Sequence, residues 1–449
     1  MSTVIIGGGI IGLSMAYYLS LATRATGNTA IHIIDSSPAL LTSASGYAGG
    51  FLASDWFSPA VSSLGALSFR LHRELAEEHN GQRKWGYAGS HVYSLSVDDH
   101  GISSKGSKGS KGRREDWLLE GTSRAGLVES KSDDKGAMLN DDGSPAAFTP
   151  QVGGSLDTIA NPEDCAQVEP KELCEFLLEE SKNNGVQVHL STKVTAVLTD
   201  SDGTLKGLKL ESTGDHNNDL GEIECHNVVL SAGAWTPGVF KTLFPRSKTR
   251  IPISPLAGYS IAVKSPRYTA PLVDPEKRHI GGGEDNWQCY AIYCAPGRYW
   301  SYAPEAYARL ARNGQTEVWV GGLNDSTLSL PELAVDVKKL IDPGSIESLR
   351  KTTVQLTGLA KEGAELNQDD LETVREGLCF RPITHSGMPL IGRISENHLG
   401  GCKVNDGGVW IAAGHGPWGI SLSLGTGLVV SELLLGKKPS ADIRALGLR

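Results

Sequence analysis

The sequence has little basic charge and no long apolar run, and each shortage excludes a class of protein. Its 449 residues carry 42 Lys and Arg against 51 Asp and Glu, which gives a formal net charge of -9. An acidic chain of this kind is not expected to bind nucleic acid or an anionic membrane. No run approaches the roughly 20 apolar residues of a membrane span. The composition favours a soluble enzyme with a small-molecule substrate.

Cysteine and histidine are present, but not in the spacings that would make them ligands or disulfide partners. The seven cysteines contain no Cys-x-x-Cys pair. This odd number in a long chain indicates the reduced thiols of a cytoplasmic protein. The twelve histidines contain no His-x-x-x-His pair, so no metal site is predicted. The apolar N-terminal segment lacks the basic region of a signal peptide.

The first residues predict a strand, a glycine-rich turn and a helix. Val4-Ile5-Ile6 leads into Gly7-Gly8-Gly9-Ile10-Ile11-Gly12, and an apolar, helix-compatible stretch follows. Gly7 permits the tight turn, and Gly9 lets the backbone approach a pyrophosphate at the helix N-terminus. Gly12 lets the helix pack closely on the strand. This arrangement is typical of a dinucleotide-binding unit.

An acidic residue stands where such a unit binds ribose. The second predicted strand, 30–34, ends at Asp35, which lies 23 residues after Gly12. A carboxylate there accepts hydrogen bonds from ribose hydroxyls and repels a 2′-phosphate. The predicted ligand is therefore a dinucleotide. The alternative is a glycine-rich turn and a surface Asp in an unrelated α/β protein.

Four further segments have features that suit a cofactor or its substrate. Residues 43–51 are rich in small residues, and the hydroxyls of Ser43 and Ser45 can bond phosphate or ribityl oxygens. A predicted parallel strand over 227–235 ends in small residues, where a cofactor would meet the strand ends. The other two segments are Cys379-Phe380-Arg381-Pro382 and Gly414-His415-Gly416-Pro417-Trp418-Gly419-Ile420-Ser421.

The remaining chain alternates between two patterns and contains one insertion. The α/β pattern predicts a helix and two strands of the doubly wound layer, and the other pattern predicts antiparallel strands of a second domain. These segments are 170–178, 186–190 and 193–198 for the first pattern, and 259–263, 290–293 and 317–322 for the second. The polar insertion, about 100–147, has a Lys/Gly/Ser-rich section too poor in apolar residues to order itself. A solvated loop is expected there, with a localisation signal or an acidic-partner patch as the alternative.

Together these motifs resemble the D-amino-acid oxidase superfamily of FAD-dependent oxidoreductases, which includes glycine and sarcosine oxidases, and most closely its fungal-type branch. The resemblance implies FAD as cofactor and an α/β fold with a Rossmann-like FAD-binding domain and a second, antiparallel-sheet substrate domain. The FAD-binding domain is expected to comprise 1–85, 155–245 and 375–449. The substrate domain is expected to comprise 86–154 and 246–374, with the polar insertion at about 100–147.

The resemblance also implies an activity. The C–N bond of an amino acid or secondary amine would be oxidised by hydride transfer to the flavin, with O2 as the expected acceptor. Two alternatives stay open. One is a dehydrogenase that passes electrons to a carrier, and the other is a non-catalytic, flavin-loaded trafficking or assembly factor.

Particular residues match positions of functional importance in the family. Arg381 matches the carboxylate-binding arginine of D-amino-acid and glycine oxidases, and a planar guanidinium binds carboxylate bidentately. His415, the second predicted catalytic residue, would donate to the flavin, and Trp418 would wall its ring. For all three, a structural role is the alternative. Cys379 falls on the cysteine that forms a thioether to flavin in sarcosine-oxidase-like enzymes, although the Arg-Pro motif belongs mostly to relatives with noncovalent flavin.

The predicted sites therefore form two sets. The cofactor-binding set is Gly7, Gly9, Ile10, Ile11, Gly12, Asp35, Ser36, Ser43, Ala44, Ser45, Gly49, Gly50, Val194, Ala232, Gly233, Trp235, Cys379, Gly414, His415, Gly416, Trp418, Gly419, Ile420 and Ser421. Besides Arg381, the candidates for the substrate side are Tyr259, Tyr290, Tyr293, Arg298, Trp300 and Tyr302.

Overall fold

The computed structural model describes residues 2–25, 29–97, 118, 122–128, 137, 139, 144–145, 147–214, 218–268 and 288–448. In chain order the strands are β1 (Ser2–Ile6), β2 (Ala30–Ile34), β3 (Phe51–Ala53), β4 (Ala88–Val97), β5 (Gly154–Ala160), β6 (Cys165–Gln167), β7 (Gln187–His189), β8 (Thr192–Thr199), β9 (Leu205–Ser212), β10 (Asp219–Glu224), β11 (Asn227–Leu230), β12 (Ile253–Lys264), β13 (Cys289–Cys294), β14 (Glu305–Leu310), β15 (Thr316–Asp325), β16 (Glu372–Thr384), β17 (Leu390–Arg393) and β18 (Gly408–Ala413). The α-helices are α1 (Ile10–Thr23), α2 (Ala44–Tyr47), α3 (Pro59–His79), α4 (Gly81–Trp85), α5 (Pro170–Asn183), α6 (Thr236–Leu243), α7 (Pro343–Thr357) and α8 (Ser423–Leu434).

The N-terminal strand lies inside a six-stranded sheet with the order β17-β18-β11-β1-β2-β7. β1 is uniformly apolar at Val4, Ile5 and Ile6 because both faces of the strand are buried, as is usual for a parallel sheet. It pairs in parallel with β2 and β11, and β11 pairs in parallel with β18. The antiparallel strand β17 closes one edge. The predicted strand at 30–34 and the predicted helix near 170–178 are confirmed. The strand predicted over 227–235 is shorter, since β11 ends at Leu230 and Gly233–Trp235 forms a 3-10 helix.

One predicted continuation of this sheet is wrong. Residues 193–198 lie in β8, which belongs to a separate three-stranded sheet with the order β10-β9-β8. The chain turns sharply after the short edge strand β7, at Ser191, whose φ of 49° is in the left-handed region. β8 then pairs antiparallel with β9 rather than extending the parallel layer.

The second large sheet has nine strands, ordered β16-β12-β15-β14-β13-β4-β6-β3, with β5 paired to β4. The strands predicted at 259–263, 290–293 and 317–322 are β12, β13 and β15 in this sheet, and are confirmed. Its pairings are antiparallel except for β13 with β4, which is parallel. The mixed α/β fold with a second, largely antiparallel sheet agrees with the predicted fold class.

The nine-stranded sheet also takes strands from segments predicted to belong to the FAD-binding domain. The predicted ranges 1–85, 155–245 and 375–449 contain β3, most of β5, β6 and most of β16. In the nine-stranded sheet β5 and β6 pair with β4, β3 pairs with β6, and β16 pairs with β12. The two layers are therefore joined by shared chain segments. The Lys/Gly/Ser-rich section of the insertion lies outside the described residues, whereas Arg124–Leu127 forms a 3-10 helix.

Helix packing on the six-stranded sheet depends on small residues. Gly427 of α8 faces α1 so closely that a Cβ would lie 2.6 Å from the carbonyl carbon of Ser14.

No helix in the described part of the chain is long and apolar enough to cross a membrane.

Candidate functional site

A cavity of about 580 Å³ begins at the carboxyl ends of β1, β2, β11 and β18 and extends to residues of the nine-stranded sheet. In open α/β sheets, ligands bind at this end of the strands. Gly7, Asp35, Ser231 and Ala413 lie on its wall from the first sheet, and Tyr259 lies there from the second. The cavity thus joins the two layers.

The glycine turn at one end of the cavity is required by backbone geometry and packing. Gly7 has a φ of 110°, and a Cβ there would lie 2.5 Å from the carbonyl oxygen of Ser231. A Cβ at Gly12 would lie 2.0 Å from the Gly7 carbonyl oxygen, so Gly12 allows α1 to approach β1. Gly12 itself is not among the cavity-lining residues, which fits its predicted packing role.

Ser45 lies over the first turn of α1. Its Oγ accepts a hydrogen bond of 2.9 Å from the Ile10 N–H, and a Cβ built on Gly9 would lie 3.1 Å from the same oxygen. A helix N-terminus with a hydroxyl beside it offers donors to phosphate oxygens. Ser45, Gly9 and Ile10 all line the cavity.

Asp35 is fixed at the end of β2 by the neighbouring loop. Its Oδ2 accepts from the Gly8 N–H and its Oδ1 from the Ser37 N–H, both at 2.9 Å. Burial raises the pKa of the Asp35 carboxyl, and the two N–H donors partly oppose that rise. The carboxylate lies on the cavity wall beside Ser36, where the sequence predicted a ribose acceptor.

Side chains of the nine-stranded sheet hold the backbone of residues 46–50. The carbonyl oxygen of Gly46 accepts from Arg375 at 3.1 Å, that of Tyr47 from the Trp319 indole at 3.0 Å, and that of Gly49 from Arg309. The Gly49 carbonyl and the Gly50 N–H belong to the same trans peptide, so they point in opposite directions. The Gly50 N–H therefore points away from Arg309. Gly49 and Gly50 both line the cavity.

Arg309 has no solvent-exposed surface and is paired with two carboxylates. Its Nη2 lies 2.6 Å from Glu317 and 3.4 Å from Glu169. Burial disfavours the Glu317 carboxylate, but Arg309 outweighs that effect and lowers the pKa of Glu317. The pairing keeps Arg309 charged and oriented toward the Gly49 carbonyl. No motif in the sequence indicates this support.

Arg381 extends from β16 across β12 toward β15. Its Nη1 donates to Asn324 Oδ1 at 2.5 Å. A Cβ on Gly258, the β12 residue between them, would lie 2.0 Å from the same nitrogen, so Gly258 makes room for the guanidinium. Arg381 is half-buried and lies on the cavity wall, where the sequence placed a carboxylate clamp.

Cys379 and His415 also lie on the wall, and both side chains are uncharged. Burial raises the pKa of the Cys379 thiol, and the nearby Arg381 guanidinium only partly offsets that rise. Burial lowers the pKa of His415 to about 3. His415 Nε2 lies 3.1 Å from Thr426 Oγ1, so this ring nitrogen bonds to α8.

The cavity brings together most of the predicted residues. Its wall contains Arg381 and, from the cofactor-binding set, Gly7, Gly9, Ile10, Ile11, Asp35, Ser36, Ser43, Ala44, Ser45, Gly49, Gly50, Val194, Ala232, Gly233, Trp235, Cys379, Gly414, His415, Gly416, Gly419 and Ile420. Of the substrate-side candidates, Tyr259 lies on the wall.

Several predicted residues lie elsewhere. Trp418 is not on the cavity wall, because its ring packs at 4.9 Å from that of Phe57. Ser421 accepts from the Ala53 N–H at 3.1 Å and so ties the chain to β3. The substrate-side candidates away from the wall are Tyr290, Tyr293, Arg298, Trp300 and Tyr302. Tyr302, for example, donates to Thr352 of α7 at 2.8 Å.

A second polar cluster on the wall was not predicted. Arg124 Nε lies 3.0 Å from Glu305 Oε1, and Arg124 Nη2 donates to Glu305 Oε2 at 3.2 Å. Tyr307 donates to Glu305 Oε2 at 2.7 Å. The Arg124 guanidinium carbon lies 4.5 Å from the centre of the Trp418 ring. No pattern in the sequence marks Arg124, which lies within the segment expected to be a solvated loop.

These features fit a flavin dinucleotide. The turn at Gly7, the capped N-terminus of α1 and Asp35 form one end of a cavity whose other end reaches a second sheet. Among the described residues, no group of three His, Cys, Asp or Glu side chains is placed to hold a metal ion. The family model for FAD dependent oxidoreductases (DAO) matches residues 2–433. The chain belongs to this family. It is an FAD-dependent oxidoreductase.

A curated relative and two solved structures are similar to this chain. The Schizosaccharomyces pombe protein named "Putative oxidoreductase C1F5.03c" is 27% identical over 454 residues, which cover 99% of this chain and 96% of the relative. The structure of glycine oxidase from Geobacillus kaustophilus aligns with a TM-score of 0.64 at 20% identity, over 100% of this chain and 98% of that one. The amino acid oxidase NikD aligns with a TM-score of 0.65 at 13% identity, with the same coverage. These two structural likenesses concern the fold alone.

Proposed function

We propose that this protein oxidises the C–N bond of an amino acid or a carboxylate-bearing secondary amine. The observation that carries the proposal is Arg381, a half-buried guanidinium on the cavity wall, held by Asn324 over Gly258. A planar guanidinium binds a carboxylate through two parallel hydrogen bonds. Arg381 would therefore fix the substrate carboxylate and orient the amine-bearing carbon.

FAD binding is assigned to the residues at the other end of the cavity. The glycine turn and Ser45 would hold the pyrophosphate, and Asp35 would accept from the adenosine ribose. The backbone of Gly49 and Gly50, fixed by Arg309, would lie beside the flavin. When bound, FAD would supply the hydride acceptor for the substrate, and we propose O2 as the oxidant of the reduced flavin.

Aromatic side chains would exclude water from the substrate. The rings of Phe51 and Trp319 both stack on that of Tyr307, with ring centres 5.8 Å and 5.1 Å from its own. All three line the cavity. Burial raises the pKa of Tyr307 well above its usual value, so this phenol is neutral. An apolar surface of this kind disfavours a charged ammonium, which suits a reaction that requires the neutral amine.

The test is an anaerobic panel of amino acids and secondary amines added to the FAD-loaded protein. Bleaching of the flavin absorbance by carboxylate-bearing amines would support the proposal. Peroxide formation under air would then distinguish an oxidase from a dehydrogenase that needs a carrier. If no compound bleaches the flavin, the proposed activity is wrong and a non-catalytic role is favoured.

A further inference from the structure

The Arg124–Glu305 pair is a neutral unit of two charged side chains at the cavity wall. The side chains are only 6% and 11% exposed, respectively. Burial opposes the charge on Arg124, but Glu305 outweighs that effect and raises the pKa of Arg124 above its usual value. Burial raises the pKa values of Tyr293 and Tyr307 well above normal, so neither phenol adds charge. The cluster contains one cation, one anion and no net charge.

Strand register places this pair within reach of a substrate held by Arg381. Glu305 of β14 pairs with Gly321 of β15. Asn324, which holds the Arg381 guanidinium, lies three residues further along β15, beyond an irregularity of the strand, and Glu305 and Arg381 both line the cavity. Three residues of strand span about 10 Å. A substrate carboxylate at Arg381 would thus leave the substrate side chain to extend toward Arg124 and Glu305.

A contribution to fold stability does not by itself explain why this buried ion pair is present. Burying two charges costs desolvation that their attraction often does not recover, and apolar replacements are frequently as stable. Arg124 and Glu305 both line the cavity, so the pair is placed to contact a bound molecule.

Building on the proposed function, we infer that Arg124 and Glu305 determine side-chain specificity and select substrates with uncharged side chains. A carboxylate or an ammonium on the substrate side chain would lose its hydration here, and the neutral pair offers it no net counter-charge. A neutral polar or aromatic side chain can instead contact the ion pair and the ring of Tyr307 without unpaired charge.

Carboxylates that lack an amine on the carbon next to the carboxylate provide the probes. Butyrate, succinate and 5-aminovalerate carry a carboxylate for Arg381 and differ in the distal group, which is neutral, anionic or cationic. Their Kd values would be measured from the perturbation of the bound flavin spectrum in the FAD-loaded protein. In the unmodified protein we expect butyrate to bind about tenfold more tightly than either charged ligand, which is a difference of about 1.4 kcal/mol in binding free energy. This first measurement needs no variant.

Two single variants should shift this preference in opposite directions. Glu305→Gln leaves Arg124 without its counter-ion, so the ratio of succinate to butyrate affinity should rise at least about tenfold. Arg124→Gln leaves Glu305 unneutralised, so the same gain should appear for 5-aminovalerate. The double variant restores a net charge of zero and should prefer butyrate again. Arg70→Gln, in an exposed helical ion pair that does not line the cavity, is the control.

The outcomes separate this inference from the proposed function. Equal binding of the three ligands by the unmodified protein, or parallel weakening of all three in both single variants, would overturn the role of the pair. The carboxylate clamp fails separately if Arg381→Ala binds butyrate as tightly as the unmodified protein does. Opposite shifts in the two single variants would support side-chain selection, since a purely structural role predicts no change of sign.

Discussion

At the scale of single residues, Arg381 has the most specific expected role. Replacing it by alanine should lower kcat/KM for a carboxylate-bearing amine by about hundredfold or more, because charge-assisted hydrogen bonds contribute a few kcal/mol in a dry site. An amine without a carboxylate should be affected little. Steady-state kinetics on matched substrates, with Arg444→Ala at a 90% exposed side chain as control, measure the difference. An equal loss on both substrates would assign Arg381 to structure.

Cys379 is expected to pack beside the cofactor without bonding to it. Burial raises the pKa of its thiol, which disfavours the thiolate that nucleophilic chemistry requires. We therefore predict that acid precipitation releases all FAD to the supernatant and leaves a protein of unmodified mass. Cys379→Ser should retain the cofactor equally well. Flavin remaining in the pellet, with a mass raised by one FAD, would contradict this prediction.

His415 should make the fold sensitive to acid. Its folded pKa is about 3, below the ordinary value of 6.5, because burial excludes the charged form. The unfolded chain therefore binds the extra proton as pH falls below 6.5, and stability is lost by up to about 1.4 kcal/mol per pH unit for this group. Denaturant titrations at several pH values would give the free energy of unfolding against pH. Its slope should be smaller in His415→Gln than in the unmodified protein, by up to the amount that corresponds to one proton. An unchanged slope would mean that His415 is charged when folded.

At the scale of elements, local sequence patterns were enough to predict individual strands and turns. They were not enough to predict which distant segments pair with one another. The β1 strand, its glycine turn and the acid-ending β2 follow from consecutive residues, because Gly7 has a positive φ of 110° and a Cβ at Gly12 would lie 2.0 Å from the Gly7 carbonyl oxygen. By contrast, β8 has the same strand pattern in either sheet, and a turn at Ser191 decides its partner. Arg124 enters the site from a polar segment with no local signature. Its position depends on Glu305, which is 181 residues away in the chain.

The contact between β14 and residues 46–50 yields a prediction at this scale. Arg309→Met removes the donor to the Gly49 carbonyl and leaves Glu317 buried without its cation, which should destabilise the protein by roughly 3–5 kcal/mol. The double variant Arg309→Met/Glu317→Gln removes that unpaired charge and should recover part of the stability. FAD should still bind at least about tenfold more weakly than to the unmodified protein, because a charge-assisted hydrogen bond to the flavin-side loop is lost.

Denaturant titration and fluorescence measurement of the FAD Kd separate these two effects. Lys351→Met, at an exposed pair on α7, should change neither quantity. Full FAD affinity in the double variant would show that Arg309 contributes to stability without positioning the loop.

At the scale of the whole molecule, the cavity is where the two large sheets meet, so its ligand should stabilise both. A ligand that binds only the folded state adds RT ln(1 + [L]/Kd), about 2.7 kcal/mol at about 100 times Kd. FAD should therefore raise the Tm of the cofactor-depleted protein. FMN should raise it much less, because it lacks the adenosine half for which Asp35 and the glycine turn are placed.

Two glycine variants separate cofactor binding from folding. Gly9 has a φ of -75°, so Gly9→Leu keeps an allowed backbone while its side chain enters the pyrophosphate space beside Ser45. This variant should fold and lose the FAD-dependent rise in Tm. Gly7→Ala should instead lower the Tm with or without FAD, since its Cβ would lie 2.5 Å from the Ser231 carbonyl oxygen at a φ of 110°. A Gly9→Leu protein that stays yellow and keeps its FAD-dependent shift would show that the dinucleotide does not cross this turn.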